Sequence, residues 1–588
     1  MAFFNGLVMS ESAAQRRWRP SLPLDKLIFV LPAAAVTYLV VPPLALLLIS
    51  TFRSTADRLP FEPGPWILSN YATVFTSSET YFLFQNSLLY ALCTVLSALT
   101  IAVVLVWLIE RTDLPGRNLL FTLVLIPLAI PGLIKAIGWS LLASPRIGAV
   151  NVALRNLLGT SGDLGPLNIY SLPGIIFVST LSNVPPMALM ISGSFRSFDP
   201  ALEEASEASG ASRSQTQRLV TLPLLRPALY AAFIYYLADL LDDFQIPAVL
   251  GLNAGVRVLS TKIFLATRPV SGLPDYGLAS GYAMVLFSVA MVLILLYRRM
   301  ERTHHRFAVI TGKGYRPRRI HLGAGKHVAL AGIGLYLLLA AILPVLILLW
   351  TSLQPFFTVP SAEGVGRLTL ANYRGLWGMS QFKQAALNTG LVALIVASAT
   401  MLLSTLTAWM AQRGRFWGSS VPDTLTFVNT AVPSVVFGLA VMFVYLSFPV
   451  LPIYGTVWIL VIAFTTRYLT YSTRLMGGAV VQIHQELEEA SHTSGASSWT
   501  TFRRITLPLL FPSFLNGWLW VAVHALREAT IAVMLMTPAN VVLGALIWER
   551  FQEGGEHGPV AAMSILVMAA SFLLTFIGRK TLLREPTY

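Results

Sequence analysis

The sequence predicts an all-α membrane protein with about 12 transmembrane helices, arranged as two parallel six-helix repeats. Three observations predict this fold class: an apolar composition, regularly spaced apolar runs, and short segments that recur in both halves. Hydrophobic residues make up 55% of the 588 residues, charged residues only 12%, and the mean hydropathy is +0.68. Because soluble domains contain about 25% charged residues, the composition favours a polytopic membrane protein.

Apolar runs of about 20 residues, the length that spans a bilayer, occur along the whole chain. The first run is longer than the core of a signal peptide, about 7–15 residues, so we expect it to be retained as a membrane helix. The predicted spans cover residues 27–51, 83–108, 119–143, 172–194, 228–250, 277–298, 328–352, 385–410, 424–446, 455–475, 514–536 and 560–580.

The two halves of the chain repeat each other. The segment Glu-Glu-Ala-Ser at 203–206 recurs at 488–491, an offset of 285, whereas Asn-Tyr at 70–71 recurs at 372–373, an offset of 302. The first half therefore contains extra residues, which we expect in the external loop at 145–170. Because each half has an even number of predicted spans, the two repeats have the same orientation in the membrane.

Charge predicts the topology and the domain boundaries. The segment from Tyr297 to His327 contains nine Lys and Arg residues and one acidic residue, Glu301, which is typical of a cytoplasmic loop. The net charge of +14 lies in such short loops, so it is a topology signal and does not indicate a nucleic-acid partner. We expect the chain to lie in the lipid bilayer of a cell (inner) membrane. The predicted divisions are a cytoplasmic tail at 1–22, a first repeat at 23–298, a basic cytoplasmic linker at 299–327 and a second repeat at 328–588.

The recurring segment after the fourth span of each half predicts a helix-turn-helix in a cytoplasmic loop. Gly210 and Gly495 can adopt the left-handed conformation that ends a first short helix. Ser212 and Gln215 have the spacing of a capping box for a second helix. A Leu-Pro pair at 222–223 and again at 507–508 then leads into the fifth span of each half. The first copy begins with Asp-Pro at 199–200 and the second with His-Gln at 484–485, so we expect similar but unequal caps.

The spacing Glu-Ala-small, three residues, Gly, nine residues, Ile or Val, one residue, Leu-Pro resembles the EAA loop of ABC importer permeases. Both copies have Ser at the second Ala of the motif, a minor departure. The resemblance extends from Leu27 to about Lys580 and implies the ABC importer fold. It also implies that the loops couple to ATPase subunits through Glu203, Glu204, Ala205, Gly210, Leu222, Pro223, Glu488, Glu489, Ala490, Gly495, Leu507 and Pro508. A rigid connector without a partner is the alternative interpretation of a single such loop.

The same resemblance implies a transmembrane permease subunit with two kinds of partner: two ABC ATPase subunits and an extracytoplasmic substrate-binding protein. The chain itself has no G-x-x-x-x-G-K-[ST] phosphate loop, since the closest run at 323–327 lacks the first Gly and the Ser or Thr. We therefore expect no catalytic residues and no cofactor bound directly, with ATP and magnesium held by the partner subunits. The one cysteine, Cys93, excludes a disulfide framework and is expected to be buried.

Charged residues at membrane depth are costly and usually face a cavity, a partner or water. Asp242 and Asp243 near the end of the fifth span align with Arg527 and Glu528 near the end of the eleventh. We interpret these four residues as a candidate pathway between the halves. The alternative is an ion pair, such as Asp242 with Arg527, that only fixes helix packing. Lys135 is expected to extend to the external surface.

Three segments, 242–251, 311–318 and 527–535, look most like those of ferric-iron permeases, so ferric iron is the expected cargo. Ferric ion prefers oxygen ligands, but a few carboxylates do not identify a metal, and no metal site is assigned. Thiamine, polyamine and aminophosphonate importers are alternatives of the same class. An ion-coupled secondary transporter also has parallel repeats and buried carboxylates, but it has no use for two coupling loops.

Overall fold

The computed structural model describes residues 23–53, 59, 62, 64–159, 162–196, 201–269, 274–304, 320–414, 418–447, 452–554 and 556–582, which are mostly helical. The predicted tail at 1–22, most of the predicted linker, and the predicted cap at 199–200 lie outside this part of the chain.

The helices of the first half are α1 (Pro23–Thr51), α2 (Ser69–Thr76), α3 (Ser78–Arg111), α4 (Arg117–Leu125), α5 (Gly132–Ala143), α6 (Ala149–Leu158), α7 (Leu172–Arg196), α8 (Ala201–Ala208), α9 (Arg213–Thr216), α10 (Leu222–Asp242), α11 (Gln245–Gly251), α12 (Leu259–Thr267) and α13 (Tyr276–His304). A 3₁₀ turn (Ile126–Ala129) extends α4, and a π turn (Gln217–Thr221) joins α9 to α10.

The helices of the second half are α14 (Gly325–Leu337), α15 (Leu343–Ser352), α16 (Ala362–Val365), α17 (Ala371–Gly378), α18 (Ser380–Arg413), α19 (Val421–Val428), α20 (Ser434–Ser447), α21 (Val457–Val481), α22 (Gln485–Thr493), α23 (Ser498–Thr501), α24 (Leu507–Arg527), α25 (Thr530–Leu535), α26 (Leu543–Gly554) and α27 (His557–Leu582). A π turn (Leu338–Ile342) joins α14 to α15, and another (Phe502–Thr506) joins α23 to α24.

The membrane helices confirm the predicted fold class. In the described residues, nine helices are long and apolar enough to cross a membrane, or up to 12 if each of three bent pairs counts as one span. The predicted tenth span forms one helix, α21, but Arg467 and Arg474 lower its hydropathy, and it is not among the nine.

Two predicted spans, 119–143 and 424–446, bend in the middle. The two arms meet at 89° in the first half and at 117° in the second. At each bend the residue before a proline, Ile130 or Val432, has an extended backbone, with ψ of 115° and 114°. Because a residue before proline disfavours the helical conformation, Pro131 and Pro433 account for both bends. The mean hydropathy of a sequence window does not change at such a bend, so hydropathy alone does not predict it.

The fifth span of each half ends earlier than the predicted ranges 228–250 and 514–536. In the first half α10 ends at Asp242, and in the second half α24 ends at Arg527. A new short helix, α11 or α25, begins three residues later. In the first half it belongs to a third bent pair, Gln245–Ala254 with Leu259–Thr267, at 73°. The charged residues that were assigned to the spans therefore lie at chain breaks.

The first span of each half packs against the other half. Helix α1 contacts α19 and α20, and Tyr38 Oη donates to Tyr445 Oη at 3.3 Å. Helix α15 of the second half in turn contacts α5 of the first half. One continuous buried core contains residues of both halves. Each half therefore needs the other to cover its apolar surface.

A matched pair of asparagines caps the first spans. Asn70 Nδ2 donates to the carbonyls of Thr51 and Arg53 at 2.9 and 3.0 Å. Asn372 Nδ2 donates to the carbonyls of Ser352 and Gln354 at 3.0 and 2.7 Å. These carbonyls at a helix end would otherwise have no partner in the helix.

The extra residues of the first half lie where the change of offset places them, between α5 and α7. They hold helix α6, whereas the equivalent helices α20 and α21 are joined by a short segment. Cys93 is exposed on α3 and not buried as expected, so it belongs to the outer surface of the helix bundle.

Candidate functional site

The two repeated loops have the same backbone course; we call residues 201–221 the first motif loop and residues 485–506 the second. In each loop a short helix, α8 or α22, ends near a glycine with positive φ, 88° at Gly210 and 86° at Gly495. The amide after each glycine donates back to a carbonyl, Ala211 to Ser206 at 3.2 Å and Ala496 to Ser491 at 3.1 Å. The turn needs the left-handed conformation that glycine adopts without strain.

The second short helix of each loop is capped by side chains. The Ser212 amide donates to Gln215 Oε1 at 2.8 Å, and the Gln215 amide donates to Ser212 Oγ at 3.3 Å, which is the predicted capping box. In the second loop Ser497 Oγ accepts from the Thr500 amide at 3.3 Å. His484, at the N-cap of α22, makes no side-chain cap hydrogen bond, as expected for the weaker cap.

The first glutamate of each motif is held inside the protein. Thr221 Oγ1 donates to Glu203 Oε1 at 2.6 Å, and Thr506 Oγ1 donates to Glu488 Oε1 at 2.8 Å. These contacts tie the start of each loop to its own π turn.

Each of these glutamates also faces an arginine at the end of a long membrane helix. Arg111 on α3 lies 3.6 Å from Glu203, and Arg413 on α18 lies 3.1 Å from Glu488. Trp409 Nε1 adds a hydrogen bond to Glu488 Oε1 at 3.2 Å. Sequence reasoning used the arginines only as topology signals and missed this role. Their common offset of 302, shared with Trp107 and Trp409, was the available signal.

The second glutamate and the following alanine of each motif point away from the membrane helices. Glu204, Ala205, Glu489 and Ala490 are all exposed. Each short helix also exposes a leucine at the same position, Leu202 at 42% and Leu487 at 48%. Each loop thus offers a small face of one apolar and one acidic side chain, supported from behind by a hydrogen-bonded glutamate.

The Leu-Pro pairs at 222–223 and 507–508 lie at the start of the fifth spans. The π turn before each pair shifts the hydrogen bond so that the Leu222 amide donates to Gln217 O and the Leu507 amide to Phe502 O. A proline has no amide hydrogen, and the wider turn lets the helix continue past it. Each motif loop is therefore continuous with α10 or α24.

A cavity of about 240 Å³ lies between the halves at the far ends of α10 and α24. Gln245 Nε2 donates to Thr530 Oγ1 at 3.3 Å, and these two residues are equivalent at the offset of 285. A contact between equivalent residues marks the pseudo-two-fold axis. The lining includes Gly132, Ser182, Asn183, Asp239, Asp242, Asp243, Gln245, Ser434, Arg467, Glu528 and Thr530.

Three of the four carboxylates that line the cavity, those of Asp242, Asp243 and Glu528, are already hydrogen-bonded. Asp242 Oδ1 accepts from the Ser434 amide at 2.6 Å, and Asp242 Oδ2 lies 3.3 Å from Arg467 Nη2. Tyr90 donates to Asp243. Glu528 accepts from the Ile531 amide at 3.3 Å and from Tyr468 Oη at 3.4 Å.

Arg527, the fourth predicted pathway residue, is not in the cavity lining. Its Nη1 donates to Leu128 O at 2.9 Å, and its Nη2 lies 2.9 Å from His524 Nε2. Asp242 pairs with Arg467, so the structure does not contain the direct Asp242–Arg527 pair that the sequence left open. Lys135 is 1% exposed, with Nζ 3.4 Å from Pro127 O, and does not extend to the surface.

In the described part of the chain, no group of three or more His, Cys, Asp or Glu residues is arranged so that it could hold a metal ion. The cavity therefore offers single carboxylates along a wall, and those of Asp242, Asp243 and Glu528 each have a protein partner. Such a wall attracts cations without enclosing them in a ligand shell.

The model of the family "Binding-protein-dependent transport system inner membrane component" matches residues 111–306 and 401–580, one copy in each half. The chain is 28% identical over 460 residues to the ferric transport system permease protein FbpB of Actinobacillus pleuropneumoniae, covering 77% of this chain and 64% of that protein. It is 29% identical over 419 residues to the putative ferric transport system permease protein FbpB 1 of Haemophilus influenzae, covering 70% and 63%.

The Fe(3+)-transport system permease protein FbpB 2 of Haemophilus influenzae is 20% identical over 502 residues, covering 85% of this chain and 89% of that protein. The alignments with the first two relatives span a little under two thirds of the length of each. Two matched copies in one chain agree with the two motif loops. The chain belongs to the family of binding-protein-dependent transport system inner membrane components.

Proposed function

We propose that the chain is the permease subunit of an ATP-driven ABC importer and that the two motif loops each dock one ATPase subunit. The observation that carries this proposal is the matched construction of the loops, in which Glu203 and Glu488 are anchored while Glu204 and Glu489 are exposed. An anchored helix with an exposed face can transmit a push from a partner to the membrane helices. A simple connector would not need the same anchors twice.

The proposed orientation places the motif loops, the N-terminus and the linker in the cytoplasm. The end of the linker lies beside the first motif loop, because Asp113 accepts from the Leu322 amide at 3.1 Å and lies 2.7 Å from Lys326 Nζ. Arg111, two residues earlier, faces Glu203. Linker and motif loop are therefore at one end of the molecule, and the basic charge of the linker favours the cytoplasmic side.

The proposed pathway runs along the pseudo-two-fold axis through the cavity at Gln245 and Thr530. Asp242, Asp243 and Glu528 face this cavity, and Arg527 lies beside it. We propose ferric iron as the cargo, since the relatives that match most of the chain are named as ferric transport permeases. The engaged carboxylates suit weak contact with a hard cation that a substrate-binding protein delivers.

The docking proposal is tested by co-expressing the chain with the products of its neighbouring genes and asking whether an ATPase co-purifies. Glu204→Ala with Glu489→Ala should reduce ATPase co-purification, while Glu363→Gln, an exposed acidic change on α16, should not. Undiminished co-purification and uptake in the double variant would contradict docking through these faces.

The cargo proposal is tested by uptake into proteoliposomes that contain the complex and its binding protein. We expect ATP-dependent uptake of radiolabelled ferric iron. ATP-dependent uptake of thiamine, a polyamine or an aminophosphonate in its place would support an ABC importer and contradict ferric iron as its cargo. Uptake that follows an ion gradient without ATP would indicate a secondary transporter and would contradict the proposed function.

A further inference from the structure

Asp242 and Arg527 occupy equivalent positions, since each is the last residue of the fifth span of its half. Their charges are opposite, and they do not contact each other through any hydrogen bond or ion pair found among the described residues. Each instead reaches across to the bent span of the other half.

Asp242 contacts the second-half bend. Its Oδ1 accepts from the Ser434 amide at 2.6 Å and its Oδ2 accepts from Ser434 Oγ at 2.9 Å. Ser434 is the first residue of α20, directly after the bend. Arg467 contacts the same bend, since it lies 3.3 Å from Asp242 and donates to Val432 O at 2.9 Å.

Arg527 contacts the first-half bend. Its Nη1 donates to Leu128 O at 2.9 Å, in the 3₁₀ turn that ends at Ala129 just before the bend. Lys135 Nζ lies 3.4 Å from the neighbouring carbonyl of Pro127. The other guanidinium nitrogen is oriented by His524 Nε2, and because a guanidinium only donates, His524 Nδ1 carries the proton that it shares with Trp520 O at 2.8 Å.

The sign of each charge matches the helix end that it contacts. A helix N-terminus presents free amides and partial positive charge, which suits the Asp242 carboxylate at Ser434. A helix C-terminus presents free carbonyls and partial negative charge, which suits the Arg527 guanidinium at Leu128. The opposite charges at these equivalent positions are thus explained by the opposite helix ends that they meet.

We propose that Asp242 and Arg527 are reciprocal clamps, each tying the fifth span of one half to the bent span of the other and holding the axis closed at Gln245 and Thr530. The inference rests on the proposed function, because it assumes that the pathway follows this axis. Both clamps must release before the fifth spans can separate. The residues act by positioning helices, and neither needs to touch the cargo.

The test uses the full complex in proteoliposomes and a chain in which Cys93→Ala removes the only cysteine. Gln245→Cys with Thr530→Cys then places two thiols across the axis for a short bis-maleimide. At rest we expect rapid cross-linking in this parent. Asp242→Asn or Arg527→Gln should each slow cross-linking about tenfold, because each removes a charge-assisted hydrogen bond that holds the halves together. Asp423→Asn, which weakens the 3.1 Å pair with Arg474 inside one half, is the matched control and should leave the rate unchanged.

The charge swap Asp242→Arg with Arg527→Asp separates clamps from a direct ion pair. A direct pair would be restored by the swap, whereas clamps would be broken twice, since each charge would then meet the wrong helix end. Parent-like cross-linking in the swap, or in both single variants, overturns the clamps. ATPase co-purification is measured in the same samples, and its loss in the parent would count against the proposed function and not against the clamps.

Discussion

Glu203 and Glu488 fix how each motif loop sits on the membrane helices, whereas their neighbours Glu204 and Glu489 are exposed. Adjacent residues of the same type thus have different surroundings. The Glu488 side chain is 10% exposed and the Arg413 side chain that faces it is 12% exposed. A buried pair of this kind stabilises little by itself, but removal of one partner leaves an uncompensated charge.

Glu488→Ala should therefore destabilise the chain by about 3–5 kcal/mol, because the buried guanidinium of Arg413 loses its carboxylate. Glu489→Ala should leave stability nearly unchanged and weaken only ATPase association. Thermal unfolding in detergent and co-purification measure the two effects. Equal melting temperatures for the two variants would contradict the division of roles.

Gly495 has φ of 86° and open space where a Cβ would lie, so a substitution there strains the backbone without a steric clash. Gly495→Ala should cost about 1–2 kcal/mol and lower coupled ATPase activity, because L-residues disfavour the left-handed region. Gly495→Asn is the matched control, since asparagine tolerates this conformation. If the turn required a small side chain and not a positive φ, Gly495→Asn would lower stability more than Gly495→Ala.

The glycine turns could be predicted from sequence because positive φ depends on one residue. The partners of Glu203 and Glu488 could not be predicted, because Arg111 and Arg413 lie far from them in sequence and were interpreted only as residues at the ends of loops. Asp242, Asp243 and Glu528 of the cavity were predicted together, with Arg527 in error, but the pairing of Asp242 with Arg467 depends on the bend at Ser434. That bend follows from a proline effect that a hydropathy window averages away.

At the scale of elements, the end of the linker meets the end of α3, beside the first motif loop, through a short bridge. Thr112 pairs with Ile320, the Ile320 amide donates to Arg111 O at 2.9 Å, and Asp113 accepts from the Leu322 amide. Among the described residues, no equivalent bridge lies beside the second motif loop. The two motif loops are consequently similar in their own residues and different in their described surroundings.

Hydrogen bonding by the Lys326 ammonium lowers the pKa of Asp113 below its usual value. A lowered pKa means that this carboxylate stabilises the bridge at neutral pH and that the contribution is lost as the pH falls through the lowered value. Hydrogen exchange at residues 320–326 should therefore stay slow at neutral pH and become faster under acid conditions. In Asp113→Asn the exchange should be fast at both pH values, and slow exchange in that variant would contradict the role of Asp113.

At the scale of the whole molecule, the swapped first spans make the two halves hold each other. Helix α1 packs against the second half and α15 packs against the first, within one buried core. The linker is then a connection in sequence and not the main physical bond between halves. The parallel repeat was predictable from the offsets, but the swap was not, because an offset says nothing about which half a helix contacts.

The two halves expressed as separate chains, 1–304 and 320–588, should therefore co-purify and should retain ATPase association. Buried apolar surface between them, and not the linker, supplies the affinity. A tag on one half and detection of the other by pull-down measures the association. As a control, deletion of 23–51, which contains α1, should reduce recovery of the second half; unchanged recovery would contradict the swap as the main contact.

The π turns before the Leu-Pro pairs have a mechanical consequence. In the second half they leave one unbroken helix, Ser498–Arg527, of 30 residues, which is about 45 Å long at the helical rise. One end lies in the motif loop and the other carries Arg527. Such a rod acts as a lever: a tilt of about 5° at one end displaces the other by about 4 Å, given its length. The hydrogen bond from Arg527 to Leu128 O is 2.9 Å long and is lost once the two atoms are about 3.5 Å apart, so a small rotation at the loop is sufficient to break this contact.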